Sequence, residues 1–264
     1  MDPITALILG LIQGLTEFLP ISSSGHLELI KVIFQNKLIP EESLLFTIIL
    51  HGATALSTLV IFRKEVFFII KDLFKFKKSP SSSFSMNIII SMIPASIVGV
   101  FFEENISKLF TGNLILVGFM LLVTALILIF ADTVKENTKT INVKNSFFIG
   151  LAQAIAILPG ISRSGSTIGL AIFFKINKKE AAKFSFLMVI PLIIGSMIKS
   201  LLDFEGSFLI TNYISLIIGF ISAFFSGLLA CKWMIALVKK SKLYYFSIYC
   251  AIVGVIAVGY SLLH

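Results

Sequence analysis

The feature that most constrains this fold is a pair of similar stretches separated by 140 residues. Between Gly10 and Gly25, seven of 16 positions are identical to the residue 140 positions later. The stretches read QGLTEFLPISSSGH from Gln13 and QAIAILPGISRSGST from Gln153. Each runs from an apolar segment through proline and small hydroxyl residues into another apolar segment. Such polar backbone is tolerated at membrane depth only where protein or a wet cavity surrounds it.

The composition is that of an integral membrane protein. The chain is 57% hydrophobic and 14% charged, with a mean hydropathy of +1.00. Asp2 and Pro3 stand where a cleavable signal peptide would have basic residues, so we expect none. Cys231 and Cys250 lie in apolar runs and are expected to be packing residues. A net charge of +8 could suggest nucleic acid, but the basic residues lie between apolar runs, which favours bilayer lipid and excludes nucleic acid as the partner.

The apolar runs predict six transmembrane helices and two re-entrant helical hairpins within a single membrane domain. The hairpins are expected at 3–35 and 146–174, and the full spans at 43–62, 86–102, 112–130, 184–202, 211–233 and 244–262. An interfacial helix is expected at 65–78, followed by a serine-rich turn at 79–85. Repeat one is predicted to cover about 1–130 and repeat two about 146–264, with a polar linker at 131–145.

Loop charge predicts the orientation. Lysine-rich loops at 63–85, 131–145, 175–183 and 234–243 should face the cytoplasm, and acidic loops near 36–42, 103–111 and 203–210 should face outward. Three spans per repeat place the two repeats in opposite directions. The predicted fold class is therefore an all-α integral membrane protein with an inverted-topology repeat, whose hairpins meet near the midplane as in many transporters.

An acidic pair lies in the first hairpin. Gln13 and Glu17 are four residues apart, so they share one face of a helix. A carboxylate inside a membrane protein is costly unless it is paired, hydrated or bound to metal. Glu17 could hold a divalent cation together with the Gln13 carbonyl, or act as a general base. The alternative is a hydrogen-bonded carboxylate that serves packing alone.

Two histidines are candidate site residues. His26 follows Ser22-Ser23-Ser24-Gly25, and it could deprotonate a serine, attack phosphorus or protonate a leaving group. A lone histidine near an apolar helix more often has a structural role, and that alternative stays open here. His51 lies inside the first full span, where it could either pack or line the site.

The second hairpin supplies a cation. Arg163 is the only arginine besides Arg63, and hydroxyl residues surround it in the turn. A planar, always-charged guanidinium suits phosphate oxygens, and serine-rich helix starts add free backbone N–H groups. Arg163 could also simply neutralise Glu17 across the repeat interface. The repeats differ at the chemically important positions, because Glu17 corresponds to Ile157, Ser23 to Arg163 and His26 to Ser166.

These residues resemble the three signatures of the BacA/UppP-type undecaprenyl-diphosphate phosphatases. The likeness lies in QxxxE from Gln13, PISSSGH from Pro20 and PGISRSGST from Pro159, and it extends over essentially the whole chain. Gln13 stands where many members have glutamate. The resemblance implies removal of the terminal phosphate from a C55 polyprenyl diphosphate, recycling of the lipid carrier for peptidoglycan, and bacitracin resistance. It also implies a divalent cation, Mg or Ca, and a multi-pass protein of the bacterial plasma (inner) membrane.

The resemblance also implies a set of site residues. The expected catalytic residues are Glu17, Ser23, His26 and Arg163, and the expected metal ligands are Gln13 and Glu17. The expected diphosphate-binding residues are Ser22, Ser24, Gly25, Ser162, Arg163, Ser164, Gly165 and Thr167. The main alternative function is a flippase or transporter for polyprenyl phosphate or a small anion, which the inverted repeat would favour.

Overall fold

The computed structural model describes residues 2–33, 40–73, 80–110, 112–135, 138–202, 213–240 and 242–263. Within these ranges the chain is helical, and extended pairing is limited to an isolated bridge between Lys139 and Ile176. The helices are α1 (Pro3–Phe18), α2 (Ser23–Ile33), α3 (Pro40–Ile61), α4 (Arg63–Leu73), α5 (Pro80–Phe101), α6 (Glu103–Ser107), α7 (Leu114–Thr133), α8 (Val143–Ile155), α9 (Arg163–Phe173), α10 (Lys178–Leu202), α11 (Tyr213–Lys239) and α12 (Tyr244–Leu263). The predicted all-α fold is confirmed.

Five helices in the described ranges are long and apolar enough to cross a membrane. They contain Ser82–Phe101, Leu114–Thr133, Lys178–Lys199, Tyr213–Val238 and Tyr244–Leu263. Leu45–Ile61 in α3 completes the predicted six when it is counted with Arg63–Lys71 in α4, from which it is bent by 82°. The chain is therefore a multi-pass membrane protein. The sharp bend and the exposed Phe67 and Phe68 of α4 fit the helix expected in the membrane interface.

Each repeat begins with a helix that breaks at the polar turn. Residues 19–22 separate α1 from α2, and residues 156–162 separate α8 from α9. Pro20 and Pro159 lie in these breaks, where proline removes a backbone donor and disfavours helical backbone at the preceding residue. Neither α1 nor α8 is long enough to span a bilayer, since each would need about 20 residues. The two predicted re-entrant hairpins are present as these broken helix pairs.

The first helix of each repeat packs against a span of the other repeat. α1 packs along α11, and its counterpart α8 packs along α5. Gly10 and Gly150, which are equivalent in the repeat, make the close approach in each case. A Cβ on Gly10 would lie 1.9 Å from Ser222 Oγ, and one on Gly150 would lie 2.3 Å from the Ser91 carbonyl oxygen. Small residues let membrane helices approach closely without a clash, so a glycine at the equivalent position allows the close approach in both repeats.

The last span of each repeat packs against its counterpart. α7 crosses α12 where Gly118 faces Gly254, and a Cβ on either glycine would lie 2.8 Å from the carbonyl oxygen of the other. The Ser247 hydroxyl donates to the Ala125 carbonyl at 2.7 Å in the same contact. Thus α7 packs against its own counterpart α12, while α1 and α8 each pack against a span of the other repeat. Both arrangements fit the predicted inverted repeat. The predicted repeat bounds and the orientation in the membrane stay predictions.

Several predicted element bounds need correction. The serine-rich turn predicted at 79–85 is wrong for residues 80–85, because α5 begins at Pro80 and the serines form its first turns. Proline is favoured at a helix start, where its missing N–H has no intrahelical partner to lose. α7 and α8 both extend into the predicted linker, and α11 continues past 233 because residues 234–238 are apolar, with Met234 and Val238 buried in the core. Residues 34–39, 74–79, 111 and 203–212 lie outside the described residues, and with them parts of the predicted first hairpin, interfacial helix, serine-rich turn, acidic loops and span at 211–233.

The apolar core lies between the hairpin turns and the spans α7, α10 and α11. The Phe18 ring, at the end of α1, meets Phe186 of α10 edge to face at 5.8 Å between centroids. Cys231 and Cys250 are buried and free, as predicted, and a thiol buried in apolar surroundings is unreactive. This core holds the two polar turns against each other.

Candidate active site

The Glu17 carboxylate, in the last turn of α1, lies at the centre of a hydrogen-bond network. Its Oε1 pairs with Arg163 Nη2 at 2.6 Å. Its Oε2 accepts from the Ser23 hydroxyl at 2.8 Å and from Gln13 Nε2 at 3.2 Å. Only 10% of the Glu17 side chain and 14% of the Arg163 side chain are exposed. The predicted contact between the acidic hairpin and the lone hairpin arginine is confirmed.

The Arg163 guanidinium is held from two sides. Its Nη2 meets Glu17, and its Nη1 donates to the Ser185 carbonyl of α10 at 3.3 Å. The Ser185 hydroxyl in turn hydrogen-bonds the Thr167 hydroxyl at 2.7 Å. Thr167 also donates to the Arg163 carbonyl within α9 at 2.9 Å, and its bond to Ser185 ties α9 to α10. The Arg163 guanidinium is therefore held in place by Ser185 of its own repeat, and its charge is neutralised by Glu17 of the other repeat.

The two polar turns have the same hydrogen-bond geometry. Ser22 Oγ accepts from the Gly25 N–H at 3.2 Å and lies 3.3 Å from Ser24 Oγ. In the second turn the corresponding distances are 3.0 and 3.3 Å. The equivalent residues there are Ser162, Gly165 and Ser164. Each first serine thus caps the helix that follows, and a cap of this kind is worth about 1 kcal/mol.

The turns also contact one another through equivalent residues. A Cβ on Gly25 would lie 3.0 Å from the Gly160 Cα, and a Cβ on Gly165 would lie 3.3 Å from the Pro20 Cβ. Gly160 is the repeat counterpart of Pro20, as Gly165 is of Gly25. Any larger side chain at these glycines would push the turns apart. The close approach of the two turns sets the short distance between Glu17 and Arg163.

The turns differ in where the backbone takes a positive φ. Gly160 has φ +99°, and the capping Ser162 that follows has φ −75°. In the first turn the equivalent of Gly160 is Pro20, whose ring holds φ near −65°. The positive φ moves instead to Ser22, at +69°. A non-glycine residue in this region costs roughly 1–3 kcal/mol and commonly marks a functional site.

A cavity of about 580 Å³ opens where the turns meet. It contains Glu17, Ser23 and Arg163, together with His51 from α3. The predicted diphosphate-binding residues Ser22, Ser24, Ser162 and Ser164 also line it. Gly25, Gly165 and Thr167 do not line the cavity; they take part in the hydrogen bonds within the turns. The position of His51, which the sequence left open, is therefore beside the acidic group.

His26 points away from this cavity. Its Nδ1 lies 2.7 Å from the Ser22 carbonyl oxygen and its Nε2 lies 2.8 Å from the Tyr249 hydroxyl. The ring stacks on Tyr249 with a 9° angle between planes and 5.6 Å between centroids. The structure thus brings Glu17, Ser23 and Arg163 together but does not place His26 in contact with Ser23. The catalytic role expected of His26 stays a prediction.

Three residues at the site were not found by sequence reasoning. Ser185 holds Arg163, and Tyr249 holds His26. Thr124 of α7 donates to the Gly160 carbonyl at 3.1 Å and accepts from the Ser162 N–H at 3.0 Å. Each carries a hydroxyl group within an apolar span. Hydroxyl groups inside spans were the available signal, although they are common in membrane helices without any site.

The oxygen donors for a divalent cation are few. No group of three or more His, Cys, Asp or Glu side chains that could hold a metal occurs in the described ranges. Gln13 is fully buried, and its Oε1 has no hydrogen-bond partner among the residues that the structure describes, while its Nε2 donates to Glu17. An orphaned amide oxygen beside a carboxylate is a donor pair that a hard cation accepts, provided that other oxygens complete the shell. These two residues would supply two oxygens to a cation, and the metal-ligand role expected of them stays a prediction.

The equivalent position in repeat two has no such neighbour. Gln153 corresponds to Gln13, but its neighbour one turn on is Ile157, where repeat one has Glu17. Both polar atoms of the buried Gln153 side chain lack a partner in the described part of the chain, as does the Ser166 hydroxyl. Repeat two therefore has a buried glutamine at the equivalent position without a carboxylate one turn on.

The sequence is similar to those of known proteins over nearly its whole length. Residues 6–256 match the family described as bacitracin resistance protein BacA. An undecaprenyl-diphosphatase of Christiangramia forsetii is 57% identical over 258 residues, which is 98% of each chain. One of Bacteroides fragilis is 52% identical over 98% of each chain, and one of Methanobrevibacter smithii is 39% identical over all of this chain and 99% of its own. By these matches over nearly its whole length, this chain belongs to the BacA bacitracin resistance protein family.

Proposed function

We propose that this protein hydrolyses undecaprenyl diphosphate to undecaprenyl phosphate and inorganic phosphate. The reaction would recycle the lipid carrier for peptidoglycan synthesis in a bacterial plasma membrane and confer bacitracin resistance. Relatives that are 39–57% identical over nearly the whole chain bear the name undecaprenyl-diphosphatase. The observation that supports this activity most directly is the Ser23 hydroxyl, which donates to Glu17 at 2.8 Å beside the Arg163 guanidinium.

Ser23 is the nucleophile in this proposal. Its hydroxyl oxygen forms a bond to the terminal phosphorus while Glu17, which already accepts its hydrogen bond, takes the proton. The bond from that phosphorus to the bridging oxygen breaks, and undecaprenyl phosphate leaves with the electron pair. Water then attacks the phosphoserine, and inorganic phosphate is released as the serine hydroxyl is restored. The alternative is that Ser23 and Glu17 orient a water for direct attack.

Arg163 supplies the charge that phosphoryl transfer requires. Phosphoryl transfer depends mainly on positioning and on neutralising charge at the phosphate oxygens. Arg163 is fixed by Ser185 and Glu17, so little reorganisation is needed when the diphosphate arrives. A diphosphate that engages the guanidinium would share it with Glu17, and this would make the carboxylate a better proton acceptor. The starts of α2 and α9 add backbone N–H groups and positive dipole ends.

A divalent cation, Mg or Ca, completes the proposed site. Glu17 and Gln13 would hold it, and it would neutralise diphosphate charge when bound. Since Glu17 also pairs with Arg163, these two residues offer few oxygens, and the diphosphate itself would provide most of the others. The C55 tail would lie in the bilayer against the apolar faces of the spans and would reach the cavity past the apolar residues at its border, such as Ile106 and Phe110.

Phosphate release from undecaprenyl diphosphate by purified protein tests this proposal. Replacing Arg163 by alanine should slow release by about 10²–10³-fold, the usual cost of losing one transition-state donor. The matched control is Arg63→Ala, which removes the other arginine from the exposed start of α4 and should leave the rate within about twofold.

The same measurement in proteoliposomes separates the enzyme from a transporter. The enzyme releases inorganic phosphate in step with loss of the diphosphate lipid. Movement of labelled lipid between leaflets without phosphate release would contradict the proposed hydrolysis. Equal rates for Arg163→Ala and the wild-type protein would contradict the role given to the guanidinium.

A further inference from the structure

We infer that His26 and Tyr249 form a positioning pair, which holds the strained backbone at Ser22 and so aims the Ser23 hydroxyl at Glu17. This inference deepens the proposed phosphatase reaction and rests on it. It assigns Tyr249, which lies 223 residues from His26, to the working site. It also gives His26 a role that needs no proton transfer to substrate.

The contacts of His26 use both ring nitrogens. A carbonyl oxygen can only accept, so Nδ1 carries a hydrogen and donates to the Ser22 carbonyl at 2.7 Å. In the neutral ring Nε2 is then the acceptor, and the Tyr249 hydroxyl donates to it at 2.8 Å. Stacking on the Tyr249 ring fixes the plane of the imidazole. The ring is therefore oriented towards the backbone of the turn, and Ser23 is left to Glu17.

The turn needs such a brace because of Ser22. Its φ of +69° is unfavourable for a residue with a Cβ, and the carbonyl that His26 holds belongs to this residue. The same carbonyl also accepts the His26 backbone N–H at 3.2 Å. Two donors on one carbonyl restrict rotation of the peptide that links Ser22 to Ser23. The direction of the Ser23 side chain depends on that peptide.

Repeat two provides an internal control. It reaches the same capping geometry at Ser162 with no histidine, since the residue at position 166 is serine. There the positive φ falls on Gly160, which adopts it without steric cost, and Ser162 has an ordinary φ of −75°. A histidine brace is thus present in the turn where a non-glycine residue takes the positive φ, and serine stands in its place in the turn where glycine does.

Two substitutions of His26 separate positioning from proton transfer. Asparagine places its side-chain N–H₂ the same number of bonds from Cα as the histidine Nδ1, so His26→Asn keeps a donor for the Ser22 carbonyl but cannot transfer a proton. His26→Ala keeps neither. We expect kcat for phosphate release from undecaprenyl diphosphate to be at least about tenfold higher for the asparagine variant than for the alanine variant. KM should differ little, and the pH profile of kcat should keep the wild-type shape in both variants.

Tyr249→Phe tests the second member of the pair. It keeps the stacked ring and removes the hydroxyl, so kcat should fall about three- to tenfold with KM unchanged, as expected for loss of one hydrogen bond. The matched control is Tyr260→Phe on the same helix, which should retain the wild-type kcat. A wild-type kcat for Tyr249→Phe would overturn the assignment of Tyr249.

The outcomes are distinct from failure of the proposed function. If the wild-type protein releases no phosphate, the phosphatase proposal fails, and with it the role of the pair in that reaction. If the wild-type protein is active but both His26 variants are equally slow and lose one limb of the pH profile, His26 transfers protons and the positioning role is wrong. Wild-type rates in both variants would also overturn it. Circular dichroism and thermal unfolding in detergent confirm that each variant is folded.

Discussion

The Glu17 carboxylate and the Arg163 guanidinium are 146 residues apart in the chain and meet at 2.6 Å between the two broken hairpins. Neither repeat alone could form this pair, because the position equivalent to Glu17 is Ile157 and the position equivalent to Arg163 is Ser23. The repeated backbone brings two similar turns together, and the differences between them place opposite charges in one cavity. The repeated backbone thus sets the architecture of the site, and the side chains that differ between the repeats set its chemistry.

Ser23→Ala should abolish phosphate release, whereas Ser24→Ala should reduce it by less than about tenfold, since only one neutral hydrogen bond is lost. Ser23 donates directly to Glu17, while Ser24 contacts the capping Ser22 through its hydroxyl. Acid quenching during turnover should trap a phosphorylated serine at position 23, detectable by mass spectrometry of the digested protein. Substantial turnover by the Ser23→Ala protein would mean that water attacks directly.

Removal of divalent cations with a chelator should stop turnover, and Mg or Ca should restore it. Gln13→Leu should raise the cation concentration for half-maximal activity by about 10–100-fold, since it removes the orphaned amide oxygen beside Glu17. Titration of phosphate release against the metal measures this directly. Full activity in the presence of the chelator would contradict any role for a cation.

The equivalent glutamine in repeat two gives the opposite expectation. Gln153→Met keeps the volume of the side chain and removes two buried polar atoms that have no partner in the described part of the chain. Unsatisfied buried groups cost roughly 1–3 kcal/mol each, so this variant should unfold at a higher temperature in detergent and retain the cation dependence of the wild-type protein. A lower unfolding temperature would contradict the conclusion that this amide is buried without hydrogen-bond partners.

The sequence was sufficient to predict the membrane class, six spans, two broken hairpins and the contact between Glu17 and Arg163. Proline followed by serines interrupts an otherwise apolar helix, and the 140-residue repeat places the two interruptions at corresponding positions. The predicted start of α5 was wrong because serines that follow a proline suit a helix start as well as a turn.

The side-chain contacts within the site were less accessible. The orientation of His26 depends on the positive φ of Ser22 and on Tyr249 in the last span, and no local pattern reports either. The roles of Ser185 and Thr124 depend on how closely α10 and α7 approach the second turn. Such contacts follow from tertiary packing, which a motif does not specify.

A double-mutant cycle on the rate of phosphate release from undecaprenyl diphosphate tests the central claim that Glu17 and Arg163 act as one catalytic unit. The cycle compares Glu17→Gln, Arg163→Ala and the double variant with the wild-type protein. If the two residues work together, the double variant will be little slower than the slower single variant, because the first substitution already removes the shared function. If the two effects multiply instead, the residues act independently, and the account of one reaction centre built by two opposed hairpins is contradicted.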